Sequence, residues 1–240
     1  ALIKDAVTPV FVGIKSGEAA VGYLNWAFTI SKAPIEIISD IFRVTFPTYA
    51  RIKDDPQLLR RAIETSLKYT NMVLLPGIAL VVMLVAPVNR ILFADKWTLA
   101  LPAVYIHSLG LLTFGIISTA TNALWAMGKV KDGAAFMIIA AIINWAASIP
   151  LVFMIGYNGA MIGSTIVLLA SIPLSLYLLN KHIRVNVWSQ TWPYVLSSLL
   201  IVGVLWAGRS LINDWLSLGV AVILAGFIYS GGILLIRQKN

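Results

Sequence analysis

The chain has 240 residues, 59% of them hydrophobic and only 12% charged, where a soluble globular domain carries about 25% charged residues. With a mean hydropathy of +0.88, composition alone describes an integral membrane protein. There is no cysteine, which excludes a disulfide framework and a Cys-based metal site, and two histidines, His107 and His182, are too few for a His-rich one. The net charge of +8 does not point to nucleic acid, because the basic residues sit in short stretches between apolar runs, where they set membrane orientation. No cofactor is implied.

The first residues, Ala1-Leu2-Ile3-Lys4-Asp5-Ala6-Val7, read as the inside of a helix. No initiator methionine or signal peptide precedes them, so the expectation is a fragment that lacks an N-terminal part. A span needs about 20 residues at 1.5 Å each to cross roughly 30 Å of hydrocarbon. By that measure 1–13 is a partial span, and 20–47, 69–94, 100–127, 133–155, 158–180, 191–212 and 214–236 are seven full ones. Nothing shows the period-two alternation of a β-barrel. The fold class predicted is all-α, a membrane bundle of kinked helices.

The span 20–47 is the one that carries charge. Lys32, Glu36, Asp40 and Arg43 are spaced by four, four and three residues, so they share one helix face. A charge turned to lipid costs at least ~2.5 kcal/mol near the bilayer centre, so this face should meet protein or a water-filled cavity. Counted from Val21, Lys32 lies about 17 Å and Glu36 about 23 Å into the membrane. Arg43 is close enough to the inner surface to snorkel, and Asp40 and Arg43 form a favourably ordered i,i+3 pair. The partial first span adds Lys4 and Asp5 at mid-depth. Lys4 could meet Glu36 and Asp5 could meet Lys32 across two adjacent helices. Two readings stay open: a closed ion-pair network that fixes packing, or a polar lumen for an anionic head group in which the acids tune or relay charge.

The 48–68 segment is the longest polar connection. Asp54-Asp55-Pro56 signals a helix start, and Leu58, Leu59, Ala62, Ile63 and Leu67 make an apolar face opposite Arg60, Arg61 and Glu64. It reads either as an amphipathic helix on the membrane surface or as a continuation of the following span. Pro9, Pro34, Pro47, Pro76, Pro87, Pro102, Pro150, Pro173 and Pro193 fall in or near spans and predict kinks. Tyr23, Trp26, Trp97, Tyr105, Trp188, Trp192 and Trp215 lie near span ends, as in an aromatic belt. His107, about one turn below the outer face, reads as interfacial, with a proton switch as the alternative. Asn122 and Asn144 are mid-span residues suited to interhelical hydrogen bonds, and Gly156, Gly159, Ala160 and Gly163 make a stripe for close helix packing.

The connections around 48–68, 128–132 and 180–190, with the tail after 236, hold eleven basic residues; those around 13–19, 89–98, 155–159 and 209–214 hold four. The positive-inside rule makes the first set and the C-terminus cytoplasmic. No HExxH, GxSxG or phosphate-binding glycine loop occurs, and Asp54-Asp55 fits a turn better than the metal pair of a transferase.

Several stretches carry a resemblance. They are Ala20-Val21-Gly22-Tyr23, Phe46-Pro47-Thr48-Tyr49-Ala50-Arg51, Leu75-Pro76-Gly77, Phe93-Ala94-Asp95-Lys96-Trp97 with Pro102, Ala126-Met127-Gly128-Lys129, and Gly156-Tyr157-Asn158-Gly159-Ala160. In this order and spacing the chain resembles the polysaccharide-exporter branch of the multidrug, oligosaccharidyl-lipid and polysaccharide exporter superfamily, the flippases of lipid-linked sugar units. The resemblance implies two six-helix lobes plus two further C-terminal helices. This chain would supply the second lobe, its first helix truncated, over 1–183 and the two additional helices over 184–240. By position, Lys4, Lys32, Glu36 and Arg43 would line its share of the lumen, and Asp5, Glu36 or Asp40 could couple an ion. It further implies the bacterial inner membrane, a lipid-linked oligosaccharide as substrate, and membrane lipids and the missing N-terminal half as partners, with a polysaccharide polymerase or glycosyltransferases as further candidates. No enzymatic step is implied. The rival readings are a multidrug exporter of the same fold and, from other classes, a membrane transferase or a non-transporting scaffold.

Overall fold

The computed structural model describes the backbone of residues 2–237 and the side chains of 9–39 and 41–234. Lys4, Asp5 and Asp40, three of the residues proposed for the lumen or for ion coupling, have side chains outside the described residues. The described residues form eight α-helices and no strand: α1 (Leu2–Ile52), α2 (Pro56–Phe93), α3 (Leu101–Leu111), α4 (Phe114–Ala126), α5 (Val130–Ile155), α6 (Tyr157–Asn180), α7 (Val187–Ala207) and α8 (Trp215–Arg237).

α1 is two arms joined at Gly17, where φ is 80° and ψ 177°. In a straight helix Gly13 and Val21 would be about 12 Å apart along the axis, yet a Cβ added at Gly13 would lie 3.4 Å from Val21 Cγ2. The arms therefore fold back on each other. The backbone at Gly17 is one that essentially only glycine adopts. The connection expected around 13–19 thus shrinks to this one residue, because the helix runs to it from both sides. Val12 of the first arm and Ala20, Leu24 and Ala27 of the second are buried together with α2, α3, α5 and α6 residues in one core.

α2 settles the reading of 48–68. Asp55 caps it, accepting from the Gln57 and Leu58 N–H groups at 3.0 Å each, and Pro56 occupies its first turn. From there the helix is continuous into the span, so the separate surface helix is not formed. The reason lies in the apolar face: Leu59, Ile63 and Leu67 are buried against Tyr49, Ala120, Ala123 and Leu179, which offers them protein instead of lipid. Pro34 of α1 packs closely on Gly77 of α2, where a Cβ would come within 2.8 Å of Pro34 Cβ.

The expected span 100–127 is broken. α3 and α4 meet at 47°, although neither Leu112 nor Thr113 is a proline. Thr113 Oγ1 donates to the Gly110 carbonyl at 2.8 Å, drawing that oxygen away from the helical ladder. Tight contacts hold both sides of the break, Gly110 against Thr165 and Leu168 and Gly115 against Asn71.

α5 and α6 form a hairpin whose closest approach uses the small-residue stripe: a Cβ at Gly159 would strike the Leu151 carbonyl, and one at Gly163 would strike Ser148. α7 and α8 pack on α2, where Ala79 and Leu84 are buried with Ile201, Leu205, Ala221 and Ala225. α2, α5, α6, α7 and the described part of α8 are long and apolar enough to cross a membrane, and the bent pair makes a sixth candidate. α1 falls short of that hydropathy, as Asn25, Thr29, Lys32 and Glu36 interrupt its apolar run.

The two sets of connections lie at opposite ends of the bundle. At one end Tyr157 Oη donates to the Leu99 carbonyl, Trp26 stacks on Trp97 at 5.3 Å, and Arg90 donates to the Ile212 carbonyl. At the other, Glu64 accepts from the Asn186 N–H at 3.1 Å and His182 meets Asp132 at 2.6 Å. Trp188 and Trp215 are exposed, as expected of an aromatic belt.

Candidate functional site

The second arm of α1 presents a polar stripe. Asn25, Thr29, Lys32 and Glu36 follow at spacings of four, three and four, which keeps them on one face. All four line a cavity of about 640 Å³ whose other walls are Pro9 of the first arm, His107 and Leu111 of α3, Phe114 of α4, Asn144 of α5, and Ser164, Val167 and Leu168 of α6. The cavity thus lies between the two arms of α1 and the α3–α6 helices. No described residue of α7 or α8 lines it.

Lys32 and Glu36 are both exposed, and among the described residues neither has an ion-pair partner. The Lys32 ammonium sits 4.7 Å from the centroid of the Phe28 ring, a cation–π contact of modest strength. The two side chains are four residues apart in the less favourable order for mutual pairing. The closed-network reading required Lys4 and Asp5 as their partners, and those side chains lie outside the described residues. Arg43 does not line this cavity. It is exposed on the same arm nearly two turns beyond Glu36, and it has an interaction of its own.

His107 is buried, not interfacial. Its Nδ1 lies 2.7 Å from Ser31 Oγ, and Ser31 Oγ donates to the Ala27 carbonyl, also at 2.7 Å. A serine has one proton to give. With that proton on the Ala27 carbonyl, His107 Nδ1–H is the donor to Ser31, and Nε2 is left as an acceptor. The edge of Phe28 fixes the ring from the side, with centroids 4.9 Å apart at 90°. This anchors α3 to α1 next to Lys32.

Asn144 and Asn122 divide. Asn122 Nδ2 donates across helices to Thr45 Oγ1 at 2.9 Å. Asn144 instead accepts from Ser148 Oγ within its own helix at 3.2 Å and lines the cavity. The sequence marks Asn144 only as a residue for interhelical hydrogen bonding, and it does not single out Asn25, Thr29 or Ser164. The signal for Asn25 and Thr29 was available, since the stripe that begins at Lys32 extends backward at the same spacing. Asn144 and Ser164 come from other helices, and only the packing of α5 on α6 brings them to the same space.

In chemical terms the cavity offers one amine, one carboxyl group, an imidazole and several amide and hydroxyl groups, above apolar walls. It has the donors for an anionic or sugar-like guest and no nucleophile–base arrangement among these lining residues.

Residues 2–102 match a family described as polysaccharide biosynthesis protein. The comparison with curated proteins finds no match. Among solved structures, the lipid II flippase MurJ in its inward closed conformation superposes with a TM-score of 0.85 at 16% identity, over 99% of this chain and 51% of that one. The sequence likeness to the polysaccharide biosynthesis family thus covers the first 102 residues, and the likeness to the flippase is one of fold. The chain spans about half the length of the flippase it matches, with the same all-helical fold, and it is a multi-pass membrane protein.

Proposed function

We propose that this chain is one lobe of a flippase for a lipid-linked oligosaccharide, a transporter and not an enzyme. The observation that carries the proposal is the pair Lys32 and Glu36, ionisable, without ion-pair partners among the described residues, and lining a cavity inside a membrane bundle. A charge kept at that depth is stable when water or a charged guest solvates it. The Lys32 ammonium would hold a diphosphate through charge-assisted hydrogen bonds. Asn25, Thr29, Asn144 and Ser164 would meet sugar hydroxyls while the lipid tail stays in the bilayer. Rocking of this lobe against a second one would open the cavity to the other side. Glu36 is the carboxylate in the described cavity through which an ion gradient could act. The basic connections orient this end of the bundle, and the C-terminus, toward the cytoplasm of the bacterial inner membrane.

The test is Lys32→Gln in the full-length protein. A hydrogen bond to a charged group contributes about 1.5–3 kcal/mol, so binding of a diphosphate-linked lipid should weaken roughly ten- to hundred-fold, with surface polysaccharide falling accordingly. Lys32→Arg keeps the charge and should keep most of the activity. Unchanged surface polysaccharide at normal expression of Lys32→Gln would remove Lys32 from the site. A multidrug exporter of this fold would favour a cationic guest, against which a lysine in the cavity is placed unfavourably.

A further inference from the structure

A second pocket lies at the opposite end of the molecule from the Gly17 turn. It has a volume of about 320 Å³, at the small end of ligand-sized sites. Three separate connections converge on it: the α1–α2 turn brings Lys53 and Asp54, the α4–α5 turn brings Lys129, and the residues after α6 bring His182. Its floor is apolar. Leu59 and Ile183 line it from above the core in which both are buried.

The charge is one-sided. Lys53 and Lys129 are exposed and have no carboxylate partner among the described residues, while the single lining acid is Asp54. The two other acids nearby are already engaged. Asp55 caps α2 through the Gln57 and Leu58 N–H groups. Asp132 is held by His182 Nε2 at 2.6 Å and Lys181 Nζ at 3.5 Å. That bond also fixes the His182 ring, whose Nδ1 has no partner among the described residues. Two lysines of like charge are kept at one small pocket by two different turns, where the backbone could have spread them apart.

We infer that this pocket is a binding site for a phosphate group, with Lys53 and Lys129 as its charged ligands and the His182 ring, fixed by Asp132, as one wall. The apolar floor beneath a basic rim suits the head group of an anionic glycerophospholipid as well as a free phosphate, since basic pockets between membrane helices collect such head groups. The site is separate from the central cavity and stands whichever guest that cavity takes.

The experiment uses the full chain in detergent, with two probes. Native mass spectrometry measures retention of phosphatidylglycerol against phosphatidylcholine, and thermal unfolding measures the response to inorganic phosphate. Phosphatidylglycerol should be retained preferentially, or phosphate should raise the unfolding temperature. The first result without the second assigns a lipid head group, and the second assigns free phosphate. Lys53→Gln with Lys129→Gln should weaken the interaction roughly thirty-fold, which is about 2 kcal/mol for two lysines. The control pair Arg61→Gln with Lys68→Gln, basic residues at the same end that do not line the pocket, should leave it unchanged. Where the double variant does not fold, each single variant should lose part of the interaction. Binding of neither probe, equal loss in the control pair, or undiminished binding without Lys53 and Lys129 overturns the inference.

Discussion

The α5–α6 hairpin gives the sharpest structural test, because the same substitution can be made where space is absent and where it is free. A Cβ at Gly163 would lie 2.6 Å from Ser148 Cα and 2.9 Å from Ser148 Cβ. Optimal carbon contacts are about 3.5–4.0 Å, so α5 and α6 would have to separate by the better part of an ångström. Rotating the Ser148 hydroxyl does not help, since the Cα cannot move without its helix. At Gly203 in α7 and Gly226 in α8, an added Cβ meets nothing within 4 Å. Gly→Ala gains up to about 1 kcal/mol in helix preference at each of the three positions. That gain cancels in the comparison, which leaves the overpacking cost at Gly163 of about 1–3 kcal/mol. For a chain of this size the difference corresponds to roughly 2–12 °C in unfolding temperature. Tryptophan fluorescence in detergent reads it directly, as the chain carries eight tryptophans. Gly163→Ala should unfold below Gly203→Ala and Gly226→Ala by that margin. Equal or higher stability of Gly163→Ala would refute the close packing of α5 on α6, and with it the placement of Asn144 and Ser164 at one cavity.

Gly17→Ala should destabilise by about 1–3 kcal/mol, from backbone strain alone, because an added Cβ there meets nothing within 4 Å; Gly22→Ala, equally open but helical, is the control in the same unfolding assay. At the basic end, the hydrogen bond from His182, outweighing partial desolvation and aided by Lys181, holds the Asp132 carboxyl below its usual range. Its contribution to stability is therefore present above the ordinary carboxylate value of about 3.9 and is lost as pH falls through the lower folded-state value. Asp132→Asn should lower the unfolding temperature at pH 6–7, and the gap to the parent chain should close toward pH 3.

Much of the fold was legible because its signals are coarse. Apolar runs of span length and the glycine stripe of α6 follow directly from what a bilayer demands of a helix. Asp55 and Pro56 marked the start of α2 to the residue. The break between α3 and α4 was not legible, since it depends on Thr113 reaching back to the Gly110 carbonyl and on glycines pressed against α6 and α2. The Gly17 reversal was softened into a loop, because Lys15, Ser16 and Glu18 look like a polar connection. For the site, the helix period brought out Lys32 and Glu36, but the stripe was followed only toward Arg43, which leaves the cavity, and not back to Asn25, which lines it. His107 was misplaced for a related reason. One-dimensional depth set it near the interface, whereas its burial depends on Ser31 and Phe28 of a helix some eighty residues earlier.

The absence of cysteine makes the central claim directly measurable by single-cysteine labelling in the full-length protein in native membranes. Lys32→Cys and Glu36→Cys should react with a charged, water-soluble maleimide. Ile142→Cys should stay unlabelled; it is an exposed mid-span position of α5 turned about 200° from Asn144. Silence at 32 and 36, matching that at 142, would contradict a wet cavity around the charged face of α1.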